Sequence, residues 1–313
     1  MTKSSKKLIF DRSKIEQFVV DNFSPMTQLL HELVDYGIDL LDKCGQYGGS
    51  LSDLVVTGHF FGHLVNVLDA VEIQLSKGAV LSAAISARSM LETYIYIKWI
   101  LESDTERRGR QFYVWYLRQR RAFARQFIRG TSEYEYYMKQ HSILPKLNDS
   151  EMEKEARKED ADITTILTNK NNNLINQYFD KLKKKKHDVA WYKPFGPNSI
   201  NDMIKQLQLE SEYYYFYSYF SNIAHAGSFE KRIKFDGKAV LFEPIRNPEG
   251  MRTLVSVVVP LVLWTFILII EKYLPKELNI FTQRYMKHWR KPFLSVPNIV
   301  VKNEIKRVNK GNK

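Results

Sequence analysis

Residues 85–100, ISARSMLETYIYIKWI, set one arginine and one glutamate, Arg88 and Glu92, into a largely apolar run. The apolar positions recur at helical spacing, so the segment reads as a helix buried along most of its length. Arg88 and Glu92 are four apart and share a face of that helix. Residues 213–227, YYYFYSYFSNIAHAG, repeat the pattern, with Ser218, Ser221, Asn222 and His225 on one face of an aromatic helix. Charged groups among Ile, Leu, Met and Tyr are costly unless paired or used. Two packed helices of this kind bring such groups to one point. They then form either a binding site or a polar network that fixes helix register.

The rest of the chain agrees with a helical fold. From about residue 10 to 43 the spacing predicts one or two amphipathic helices, with Ser24-Pro25 as the break. Residues 52–75 and 79–101 read as a helical hairpin turning at Lys77-Gly78, and 104–129 as a further helix capped by Asp104. Two polar helices follow across 131–193. Pro194 and Pro197 then precede the helix that carries His225. Asp236-Gly237 between two short alternating runs signals a β-hairpin near 231–246. The reading is a mostly α protein, a multi-helix bundle with a small β-hairpin insertion and a basic C-terminal arm. Residues 1–50 form an N-terminal helical segment, 51–274 the bundle and 275–313 the extension.

Residues 253–270, TLVSVVVPLVLWTFILII, run without a charge at the lower edge of the length that crosses a bilayer. Pro260 in the middle, and the lack of a second such run, favour a core helix over a membrane anchor or a membrane-tethered sensor. The single cysteine, Cys44, excludes an intrachain disulfide framework and fits a reducing cytoplasm. Residues 1–14, MTKSSKKLIFDRSK, show no secretory pattern. Walker A loops, GxGxxG after a strand, GxSxG elbows and Cys/His zinc patterns are all missing, which disfavours P-loop, Rossmann and α/β-hydrolase chemistry and implies no cofactor.

The chain carries a net charge of +12 with a pI near 9.4, which suits an anionic partner. Residues 275–313 hold ten Lys and Arg against two Glu, so the tail, with Lys302, Lys306 and Arg307, reads as an electrostatic arm for nucleic acid. In residues 104–129, Phe112, Tyr116, Phe123 and Phe127 form a stripe expected in the core. Arg118, Arg121, Arg125 and Arg129 fall on nearly the opposite side, as a solvated face or a phosphate-tracking ridge. His59 and His63, four apart, have a spacing that permits two metal ligands, but the glutamate of the HExxH motif is missing and no metal is assigned.

An Arg88-x-x-x-Glu92 helix, followed more than a hundred residues later by tyrosine-rich sequence ending in Ser221-Asn222-x-x-His225, resembles a bacterial all-helical family of unknown function across roughly 51–274. That family is distantly similar to the HEPN proteins, the higher-eukaryote and prokaryote nucleotide-binding superfamily. The resemblance implies a cytoplasmic RNA-binding or RNA-cleaving protein, an endoribonuclease if an enzyme, with a role as a toxin or phage-defence effector. It implies metal-independent chemistry with His225 as acid/base and an arginine on the phosphate. HEPN ribonucleases usually carry Arg-x(4–6)-His on one helix, and no arginine stands at that distance before His225. Arg88 would supply the guanidinium from another helix, with Glu92 as orienter and Ser221 and Asn222 as supporting donors. A regulatory protein or a second copy of the chain is a further candidate partner. The alternative is a noncatalytic protein that binds nucleic acid or another protein and whose Arg-Glu-His network is structural.

Overall fold

The computed structural model describes residues 12–47, 49–140, 150–183, 189–224, 233–235, 240–242, 245–299 and 301. The fold is mostly α. It comprises α1 (Arg12–Tyr47), α2 (Leu51–Ser76), α3 (Val80–Glu102), α4 (Thr105–Arg125), α5 (Ser132–Gln140), α6 (Ser150–Thr168), α7 (Lys170–Lys183), α8 (Ile200–Gln206), α9 (Glu210–Ala224), α10 (Met251–Tyr273), α11 (Leu278–Arg284) and α12 (Arg290–Ser295). Strands β1 (Ile233–Phe235) and β2 (Val240–Phe242) pair antiparallel, Lys234 opposite Leu241. Asp236 and Gly237 lie outside the described residues. The chain divides into two compact units, one of residues 1–48, 56–101 and 204–313, the other of 49–55 and 102–203.

The first unit is built on α1 and α10. Helix α1 runs straight through the break expected at Ser24-Pro25. Pro25 removes one helical hydrogen bond, but Met26, Leu29, Leu30 and Leu33 are all buried on one face, and that burial outweighs the lost bond. Helix α10 buries Leu254, Val258, Val262, Phe266 and Ile270 completely. Its apolar run and the Leu51–Ser76 helix are each long and apolar enough to cross a membrane, and each has most of its apolar window buried inside the protein. Phe266 meets Tyr36 edge-on at 5.6 Å and Phe61 at 6.0 Å. Gly37 allows that approach, since a Cβ there would lie 3.0 Å from Val65 and 3.3 Å from the Phe266 ring. Gly78 makes the turn between α2 and α3 with φ +69°, and a side chain on it would meet Ile15 at 2.5 Å.

Part of the segment read as a basic extension belongs to this core. Helix α11 and the turns that follow place Phe281 and Trp289 against Tyr36, at 6.1 and 5.1 Å. Lys43 binds Glu277 at 2.7 Å, and the Arg284 guanidinium lies 5.1 Å above the Tyr36 ring. Phe281 and Trp289 of LNIFTQRYMKHW thus serve packing, while Leu278, Ile280, Met286 and the cations stay outside. Lys302, Lys306 and Arg307 lie outside the described residues.

The second unit gathers α5, α6 and α7 around α4. Its core is Val114, Leu117, Ile163, Leu167, Ile175 and Phe179, with a smaller cluster of Ala124, Ile128 and Ala156. The sequence reading put four aromatics of α4 in the core. Phe112 is there, but Tyr116 and Phe123 are exposed, Phe123 to 61%. The buried stripe runs instead through positions 114, 117, 124 and 128, smaller residues that let α6 and α7 approach closely enough to pack. Gln111 donates to the Trp191 carbonyl at 2.8 Å inside this unit.

Candidate functional site

Helices α3 and α9 meet within the first unit at Arg88. Its Nε donates to Glu92 Oε1 at 3.2 Å, one turn along α3. Its Nη2 donates to the Tyr217 hydroxyl of α9 at 3.1 Å, and the guanidinium carbon lies 4.9 Å from the Tyr217 ring centre. Tyr213, one turn before Tyr217, stacks on it at 4.5 Å with the rings 18° apart. Burial first, then the neighbouring Tyr217 and Glu92, pushes the Tyr213 hydroxyl well above its ordinary value, so it stays protonated as a donor. The Arg88 and Glu92 side chains keep 21% and 33% of their exposure, so the cluster opens to solvent. A helical i, i+4 ion pair of this exposure contributes only about 0.3–0.5 kcal/mol, too little to explain it as a stabilising device.

Arg88 and Glu92 are therefore brought to helix α9, where the sequence placed their partners. Ser221 and Asn222 belong to α9, one turn beyond Tyr217, and His225 lies outside the described residues. The residues the sequence reading missed are Tyr213 and Tyr217. They stand eight and four positions before Ser221, on the stripe that continues to His225, and that spacing was the available signal.

Next to Arg88 on α3, Ser89 Oγ lies 3.0 Å from His63 Nε2 of α2. His59 sits in a wide π-helical turn, Val55–Phe61, with its ring against Phe60 at 5.0 Å. Burial, and then the nearby His63, hold His59 below the ordinary histidine value. Among the described residues no three His, Cys, Asp or Glu side chains gather as a metal site, so the pair His59 and His63 lacks a third ligand there.

Arg118, Arg121, Arg125 and Arg129, expected as a solvated face or a phosphate-tracking ridge, each have a carboxylate partner. Arg118 binds Asp180 at 2.8 Å, Arg121 binds Asp160 at 2.8 Å, Arg125 binds Glu133 at 3.0 Å and Arg129 binds Glu153 at 3.0 Å. The mixed-charge run EMEKEARKED folds as α6, and with α5 and α7 it sets carboxylates along α4. A hydrogen bond from Arg157, with help from Arg129, holds Glu153 below the ordinary carboxylate range. Burial raises Glu133, and hydrogen bonds from its own backbone amide and from Arg125 more than reverse it. Folded pKa values below the unfolded ones mean that this stabilisation is complete above the unfolded carboxylate value and is lost as pH falls through the folded values. Urea titrations at pH 6.5 and 3.5, followed by hydrogen exchange of peptides from residues 105–183, are expected to show a lower midpoint at the acid pH. An unchanged midpoint would remove these ion pairs as a source of stability.

A family model matches residues 54–239, which include Arg88, Glu92, Tyr213 and Tyr217. The chain belongs to the family of unknown function DUF5677. The matched span covers α2 to α9 and leaves out α1 and α10. No curated protein and no solved structure matches the chain.

Proposed function

We propose that this DUF5677 protein is a HEPN-like cytoplasmic protein that binds and cleaves RNA without a metal, in a toxin or phage-defence setting. The Arg88 cluster carries the reading. A guanidinium presents a planar fork of donors that fits a phosphate, and the stacked Tyr213 and Tyr217 rings offer a π-face to a neighbouring base. Glu92 fixes the guanidinium through Nε. Ser221 and Asn222 add neutral donors, His225 serves as acid/base, and the basic residues 302–313 hold RNA by charge.

A noncatalytic reading has its own support, because Arg88 ties α3 to α9 through Tyr217 and such a tie sets helix register. Incubating the purified protein with total RNA, with and without EDTA, beside His225→Ala separates the two. Cleavage that survives EDTA, leaves 2′,3′-cyclic phosphate ends and is lost in His225→Ala is the expected result. Intact RNA and no measurable RNA binding would leave the structural reading.

A further inference from the structure

We propose that His63 is a catalytic acid/base of the Arg88 site, acting on the RNA phosphodiester that Arg88 holds; this rests on the RNA-cleaving reading above. Ser89 follows Arg88 on α3 and stands three residues before Glu92, so Ser89, Glu92 and Arg88 form one continuous patch of that helix surface. His63 reaches this patch from α2, with Nε2 at 3.0 Å from Ser89 Oγ. Tyr217 reaches it from α9, with its hydroxyl at 3.1 Å from Arg88. The outer face of α3 is thus the floor of a polar strip with an imidazole on one side and a guanidinium and stacked tyrosines on the other.

Several features set His63 apart from an ordinary surface histidine. It is exposed, so substrate can reach it, yet it is tied to a hydroxyl from a different helix. The π-helical turn Val55–Phe61 ends two residues before it, and such wide turns, which re-aim the side chains that follow, occur often at functional sites. Phe60, packed on Tyr96 of α3 at 5.8 Å, anchors that turn to the helix carrying Ser89.

The chemistry balances with these groups and water. Neutral His63 takes the proton of a ribose 2′-hydroxyl, and the 2′ oxygen forms its bond to phosphorus while the bond from phosphorus to the 5′ oxygen breaks. The 5′ oxygen leaves with a proton from water, and the resulting hydroxide recovers the proton from His63. Arg88 offsets the charge on the non-bridging oxygens. The products are a 2′,3′-cyclic phosphate and a 5′-hydroxyl. Ser89 is a positioning residue that sets the His63 ring.

The test uses the full chain and a fluorescent single-stranded oligoribonucleotide. His63→Ala is expected to lower the cleavage rate by roughly 10²-fold or more, the usual share of a positioned acid/base, with RNA affinity nearly unchanged. Ser89→Ala should lower kcat by a smaller factor and leave KM alone. His31→Ala, an exposed histidine of α1, is the control and should cleave as the parent does. Since His63 is exposed, its variant should keep the parental melting temperature. Cleavage by His63→Ala at the parental rate would overturn the assignment while leaving the RNA-cleaving reading in place. An oligonucleotide left uncut by the parent itself would overturn that reading, and this assignment with it.

Discussion

Phe266→Ala will lower the stability of the first unit by about 3–5 kcal/mol, the range for deleting a fully buried aromatic. Its ring has no exposed surface and is wedged edge-on between Tyr36 and Phe61. Those neighbours cannot close the gap, because Tyr36 is itself held by Phe281 and Trp289 and the α1 backbone at Gly37 is already in close contact. A cavity therefore remains, and the lost contacts add to the lost transfer energy. Urea unfolding read by hydrogen exchange of peptides from residues 12–47 measures the effect, with the second unit as an internal reference, since two units need not unfold together. A midpoint equal to the parent's would mean that α10 is not in a protein core, and would favour the membrane anchor for residues 253–270.

Arg88→Ala is expected to have the largest effect on function, about 10²–10³-fold in RNA cleavage, the range for removing one preorganised donor to a developing oxyanion. Stability should hardly move, because the i, i+4 pair with Glu92 is worth only about 0.3–0.5 kcal/mol. Arg88→Lys should not restore activity. An ammonium keeps the charge but cannot donate to Glu92 and Tyr217 in the fixed geometry that the guanidinium uses. Cleavage rates and RNA affinities of both variants, beside their thermal midpoints, check this. A large drop in midpoint with RNA binding intact would assign Arg88 to helix register instead.

Where local pattern and tertiary packing agree, the sequence is a good guide. The α2–α3 hairpin turns at Gly78, and α10 occupies the apolar run almost to the residue, because both follow from periodicity and from a glycine at positive φ. Pro25 misled because a proline's local cost is visible in sequence and the burial that offsets it is not. The carboxylate partners of Arg118, Arg121 and Arg125 were hidden for the same reason: they come from α7, α6 and α5, up to 62 positions away. At the candidate site, Arg88 and Glu92 stood out as charges in an apolar run, whereas Tyr217 and Tyr213 were hidden among the aromatics of α9. Tyrosine on a buried helix looks like core until a partner for its hydroxyl is known. His63 carried a histidine-pair signal suggestive of metal, and only the fold places it beside Ser89.

Cross-linking is the most direct test of an RNA site at the junction of α3 and α9. Single-stranded RNA carrying 4-thiouridine, irradiated with the full chain and digested, identifies the peptides that touch the bases. Cross-links on peptides containing Tyr213 and Tyr217, reduced by Arg88→Ala, are the result this account predicts. Cross-links confined to residues 105–183 or to the 302–313 tail, and unchanged by Arg88→Ala, would contradict it.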